Sequence, residues 1–126
     1  MRYYPALPLS LLALLLFFHC SGCSRDSGPP PVLPAEEIPG AMQKAFAKAK
    51  PEVKEVVDSL LSSLQARDYP AAFQRVQSLC GIPEITKEQR TLSARALLTI
   101  NSLLQAAEAQ GDANAAAAIQ YQKRNR

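Results

Sequence analysis

The sequence predicts an all-α protein, a small helical-hairpin bundle of three to five helices that follows an apolar leader and a proline-rich disordered tether. Three observations predict it. Apolar content leans on Ala and Leu, with no Trp and aromatic residues at 6%, too sparse a supply for a sheet-rich core. Large apolar residues between Val53 and Ala107 recur at steps of three and four, the period that lines one face of a helix. Turn and capping residues punctuate those stripes at Asp68-Tyr69-Pro70, Gly81-Ile82-Pro83 and Gly111-Asp112. The chain has 126 residues, and the segment 41–126 carries the helical pattern, room for one domain at most. A body that small buries only about 60–65% of the surface its unfolded chain exposes.

Residues 1–22 have the organisation of a signal peptide. Arg2 supplies a positive start, and Leu9 to Phe18 form an apolar core too short for a permanent crossing of a hydrocarbon layer about 30 Å thick. His19-Cys20-Ser21-Gly22-Cys23-Ser24 follows. This stretch resembles the lipobox of bacterial lipoproteins, with Gly22 as the small residue before the cleavage point and Ser21 ahead of it. Cys20 stands where that family usually carries an aliphatic residue. The resemblance implies that Cys23 becomes an acylated N-terminus, so that membrane lipid is a partner through Cys23 and the address is the bacterial cell envelope. The alternative is ordinary cleavage near Gly22, which leaves a soluble periplasmic or secreted protein and makes a Cys23–Cys80 disulfide feasible. With Cys23 acylated and Cys20 removed, Cys80 is the one thiol left.

Residues 23–40 contain Pro29-Pro30-Pro31, Pro34 and Pro39. Proline fixes φ and removes a backbone donor, so this segment is expected to be an extended, semi-rigid spacer. The helical domain is then 41–126. Ala41 to Lys50 is expected to form a short helix with Met42, Ala45, Phe46 and Ala49 on one side. Glu52 to Ala66 aligns Val53, Val56, Val57, Leu60, Leu61 and Leu64 on a single face. Pro70 opens the next helix, which presents Phe73, Val76, Leu79 and Cys80, with Gly81 expected in a left-handed stop. Cys80 reads as a small core hydrophobe. Thr86-Lys87-Glu88-Gln89 matches a capping box and opens the longest helix. Asp112 caps a final Ala-rich helix through Ile119 and Tyr121.

An internal echo joins the two helix turns. Leu64-Gln65-Ala66-Arg67-Asp68-Tyr69-Pro70-Ala71-Ala72 parallels Glu108-Ala109-Gln110-Gly111-Asp112-Ala113-Asn114-Ala115-Ala116 at an offset of 44 residues. Asp68-Tyr69 and Ala72 are loosely similar to the inter-helix turn of tetratricopeptide repeats. That family repeats every 34 residues, so the likeness extends to helical hairpins and not to the repeat.

Charge and chemistry narrow the function classes. The formal charge is +3, and cations alternate with acids except for Lys123, Arg124 and Arg126 at the end. A nucleic-acid binder needs a clustered basic footprint with aromatic platforms, so no nucleic-acid partner is expected. The sole histidine, His19, lies in the leader, and Cys80 has no base to activate it. Glu84 with Glu88 and Glu55 with Asp58 read as solvated helix faces. No enzyme activity, metal or cofactor is expected. The expected function is a helical protein-binding or scaffolding module facing another envelope protein, with Phe46, Tyr69 and Tyr121 as contact residues. The alternatives are a structural envelope protein without a specific ligand and an exported carrier of a hydrophobic ligand.

Overall fold

A computed structural model describes residues 31–126. The expected signal peptide, Cys20, Cys23 and the first part of the expected tether lie outside the described residues. The described chain is all-helical: a single 3-10 turn at Ala35–Glu37 precedes α1 (Ile38–Ala45), α2 (Pro51–Gln65), α3 (Tyr69–Cys80), α4 (Lys87–Ala109) and α5 (Ala113–Arg124). It is a bundle of helical hairpins.

Helix starts follow the residues that terminate the backbone ladder. Pro51 sits in the first turn of α2 and Pro70 in that of α3, where a missing N–H removes no bond. The Asp68 carboxylate accepts from the Ala71 amide at 3.1 Å and caps α3. The capping box at α4 is complete: the Gln89 amide donates to the Thr86 hydroxyl at 3.1 Å, and the Thr86 amide donates to Gln89 Oε1 at 2.9 Å. Asp112 caps α5 by accepting from the Asn114 and Ala115 amides.

The first four helices close a ring. α1 packs on α2, α2 on α3, α3 on α4 and α4 back on α1, while α2 and α4 stay apart. Ile38, Met42 and Phe46 form one stripe of α1 at four-residue steps, and all three are buried. Val57, Leu60, Val76, Leu79, Ile100 and Leu104 belong to the same core. α5 lies outside the ring on α3 and α4, seated by Ala115 and Ile119.

The expected boundary between tether and domain at residue 40 is corrected. The packed body begins at Leu33, which is buried, and includes the 3-10 turn and the start of α1. Its backbone is strapped along α4. Arg95 Nε donates to the Pro31 carbonyl at 2.6 Å, the Thr99 hydroxyl donates to the Leu33 carbonyl, and Gln89 Nε2 donates to the Ala45 carbonyl at 3.0 Å. Pro34 precedes the 3-10 turn and Pro39 lies in the first turn of α1, positions that need no amide donor. The prolines that argued against structure therefore occupy the sites where structure tolerates them.

Two further expectations are corrected. Gly81 ends α3 in a right-handed conformation at φ −83°, so no left-handed stop is made there. Arg90 takes up the exposed carbonyls instead, donating to Cys80 and Ile82. Cys80 is half-buried at the rim rather than a core residue.

The internal echo is a repeat in three dimensions. Arg67 (φ 58°) and Gly111 (φ 92°) are left-handed, and they are the equivalent positions of the two parallel segments. The following Asp amides donate five residues back, Asp68 to the Ser63 carbonyl at 2.9 Å and Asp112 to the Ala107 carbonyl at 3.0 Å. Arg67 and Gly111 each donate three residues back, to Leu64 and Glu108, at 3.0 and 2.9 Å. Both turns are Schellman motifs whose last residue is also the N-cap of the next helix.

Two stability experiments follow from this architecture. Ile38→Ala is expected to cost about 2–4 kcal/mol in urea unfolding, as for a buried aliphatic truncation. Val32→Ala, at a position 60% exposed, should stay within about 0.5 kcal/mol. Equal, negligible effects would return residues 31–40 to the role of spacer. At the paired turns, Arg67→Gly should stabilise by about 0.5–1 kcal/mol, because a left-handed residue with a Cβ carries strain that glycine lacks. Gly111→Ala should destabilise by about 1 kcal/mol through the backbone alone, since no atom lies within 4 Å of the added Cβ.

Candidate functional site

The ring of helices is not filled along its whole length. α1 has 8 residues against 15 in α2 and 23 in α4, so it covers about 12 Å of a seam that α2 extends to about 22 Å. Beside the 3-10 turn and α1, whose Ala35, Pro39 and Gln43 form one wall, an open cleft of about 640 Å³ remains against α2, the α2–α3 turn and Leu103 of α4. Leu61 and Leu64 of α2, Leu103 of α4 and Tyr69 of α3 form its apolar wall, with Asp58 and Arg67 among the polar groups at its edge. These four apolar residues are all half-buried. The Schellman turn at Arg67 and the Asp68 cap hold Tyr69 at the mouth.

A second recess, of about 330 Å³, lies between α3 and α5. Phe73, 8% exposed, lies at the bottom, and Tyr121, 64% exposed, stands at the side. Amides of Gln74, Gln77 and Gln122 share this lining.

The three aromatic residues expected to make partner contacts are not brought together. Phe46 is buried at 2% exposure in the stripe that attaches α1 to the ring, so its expected contact role is corrected to core packing. The physical reason is the ring itself: Phe46, the residue that caps the C-terminus of α1, enters the space between α2 and α4. Tyr69 lines the larger cleft and Tyr121 the smaller recess. What the residue pattern did not point to was the cleft, because its walls come from segments adjacent only in space, Ala35, Pro39 and Gln43 facing Leu61 and Leu64. The equivalence of Arg67 with Gly111 was a usable signal for the tight turn that forms one end of it.

Several polar side chains of α4, Gln89, Arg90, Ser93, Arg95 and Thr99, bond to backbone groups. Ser93 is fully buried and donates to the Gln89 carbonyl at 2.8 Å, and Thr99 serves the strap. Among the described residues, no buried side-chain polar atom lacks a hydrogen-bond partner. No group of three or more His, Cys, Asp or Glu side chains converges among them in a way that could hold a metal ion. No helix among them is long and apolar enough to cross a membrane.

Cys80 is the free thiol of the described body. Burial pushes its pKa above the ordinary thiol value, and the nearby Arg90 guanidinium opposes that rise only in part. A raised pKa leaves less thiolate at a given pH, so Cys80 should react with iodoacetamide at pH 8 more slowly than free cysteine. The deficit should close as pH rises through and beyond the ordinary thiol value, followed as mass gain over time. Faster labelling than free cysteine at pH 8 would contradict the burial argument.

Comparison with known proteins gives no match: no family model, no curated protein and no solved structure is similar to this chain.

Proposed function

We propose that this chain is a non-enzymatic, exported binding module, held to a membrane by acyl chains on Cys23 and receiving an apolar segment of an envelope protein in the cleft beside Tyr69. The observation that carries the binding role is the open cleft itself, which runs alongside α1 between Ala35, Pro39 and Gln43 on one side and Leu61, Leu64 and Tyr69 on the other. A partner segment there would lie beside α1 and cover the half-buried leucines with side chains of its own. Leu61, Leu64 and Leu103 supply the surface, and recognition of this kind lays an apolar face into a groove.

Support for the anchor comes from the leader, with its positive start, short apolar run and Gly22-Cys23 junction. Each buried CH₂ of an acyl chain contributes about 0.8 kcal/mol, and two or more chains give stable attachment. A non-enzymatic role is supported by how the polar side chains are used. Thr86, Gln89, Arg90, Arg95 and Thr99 are all engaged with backbone groups.

A small hydrophobic ligand is the second reading, favoured by one observation: about 640 Å³ falls within the range of ligand pockets, about 300–1,000 Å³. The open mouth of the cleft and its run alongside α1 favour a chain segment.

The test has two arms in an expressing bacterium. Intact mass of the chain from the membrane fraction should show a start at acylated Cys23, and Cys23→Ala should abolish both acylation and membrane recovery. A photo-crosslinking residue at position 69 should yield a discrete protein adduct that Leu61→Asp removes. An unacylated chain in the soluble fraction would sink the anchor. Adducts with small apolar molecules alone would replace the partner segment by a ligand.

A further inference from the structure

We propose that the end of the bundle where α2 and α4 begin rests on anionic lipid headgroups, which leaves the cleft beside Tyr69 towards the end far from the bilayer. The two ends are defined by contacts. Gln89 donates to the Ala45 carbonyl, so the start of α4 lies beside the end of α1. Lys50 and Glu52 share a recess with Ser78 and Glu84, which brings the α1–α2 and α3–α4 connections to that same end. Arg126 lines a recess with Gln77, about one turn before the end of α3, so α5 also finishes on that side. At the opposite end the 3-10 turn, the α2–α3 turn and Leu103 meet around the cleft, and the α4–α5 turn lies beyond Leu103.

Charge is sorted between these ends although the sequence interleaves it. Residues 44–55 and 78–90 hold six cations, Lys44, Lys48, Lys50, Lys54, Lys87 and Arg90, against four acids. The end of α5 adds Lys123, Arg124 and Arg126 and no acid. All nine cations are exposed. At the cleft end, residues 33–37, 64–72 and 103–116 hold Glu36, Glu37, Asp68, Glu108 and Asp112 against Arg67 alone. The formal charge is therefore +5 at one end (9 − 4) and −4 at the other (1 − 5). An anionic leaflet attracts the first end and repels the second.

The path of the strap selects lipid among anionic occupants. Arg95 holds the Pro31 carbonyl about 12 Å along α4 from Lys87 and about 21 Å from Ala109, nearer the basic end. Going back along the chain, the backbone passes from Thr99 at Leu33 to Arg95 at Pro31, towards that end. Cys23 is 8 residues ahead of Pro31 (31 − 23), a reach of about 26–29 Å. Head-to-tail contact with a second copy would also match the charges. That copy would have to stand on a body whose α4 alone is about 35 Å long, beyond the reach of its own tether. The inference rests on the anchor proposed above and adds to it which way up the body stands.

The test places the full chain, purified in detergent, on phosphatidylcholine vesicles with and without about one phosphatidylglycerol in three. In a Cys80→Ser background, a fluorophore goes on Ala47→Cys at the basic end or on Ala109→Cys at the other, both exposed positions. A quencher attached to lipid headgroups should quench position 47 about threefold more than position 109 when phosphatidylglycerol is present. That preference should vanish in phosphatidylcholine alone, and in 1 M salt, where the Debye length is about 3 Å. Lys44→Glu with Lys48→Glu and Lys50→Glu should abolish it as well, with helicity by circular dichroism unchanged. Equal quenching at the two positions, or a preference that survives any of these changes, would overturn the orientation. Intact mass of the same sample separates the two claims: an unacylated chain sinks both, and an acylated chain quenched equally sinks the orientation alone. Crosslinks from position 47 to an acidic envelope protein, with no unequal quenching on vesicles, would replace lipid by a protein.

Discussion

The seam between α2 and α4 governs this molecule. Those two helices do not meet, and a gap there would leave Val57, Leu60 and Ile100 facing water on one side. Full burial of a large aliphatic side chain is worth about 1.5–3 kcal/mol relative to exposure, so leaving several of them open would consume a large share of a small domain's stability. The solution is α1, whose Ile38, Met42 and Phe46 enter the seam, with Leu33 ahead of them. Isolated helices of 8 residues are marginal in water. α1 persists because its docked stripe and the three α4 donors at Gln89, Arg95 and Thr99 hold it. The strapped N-terminal segment follows from this closure, and the cleft lies beside the strap, along Ala35, Pro39 and Gln43.

Helix type and helix starts were largely legible in the residues. The stripe of Val53, Val57 and Leu60, the Thr86–Gln89 capping box and the Asp68 and Asp112 caps rest on short-range chemistry, where spacing alone carries the signal. The N-terminal segment was not legible in the same way. Pro34 and Pro39 read as spacer, yet proline opposes structure only where a donor is needed or a preceding turn is crowded. Leu33 and Ile38, isolated among polar and proline residues, show no period of their own. Their role depends on a seam created by helices more than a dozen residues away. Phe46 was misjudged for the same reason: its neighbours come from outside its own segment. Tyr69 and Tyr121 could be read as aromatic residues near turns or ends, but not as belonging to two separate recesses.

The two matched turns show how one local solution serves different sequences. Gly111 takes its left-handed conformation without cost to a side chain, whereas Arg67 takes it with a Cβ in place. The same pair of hydrogen bonds closes each turn, and the same Asp then begins the next helix. Because the two motifs share geometry and not identity, the hairpins α2–α3 and α4–α5 present similar corners built from different surfaces. One corner borders an apolar cleft, while the other leads into a helix whose far end is purely cationic.

Where the body begins also sets the length of any leash. A spacer running from Cys23 to a domain starting at residue 41 would have 18 residues (41 − 23), up to about 59–65 Å at full stretch. With Leu33 locked against α4, only 10 residues (33 − 23) remain, up to about 33–36 Å. That is close to the length of α4 itself, about 35 Å. A body moored at Cys23 would therefore begin within that short span of its anchor. Anything it grasps would have to come near the bilayer, and deleting even a few of the prolines would shorten the span further.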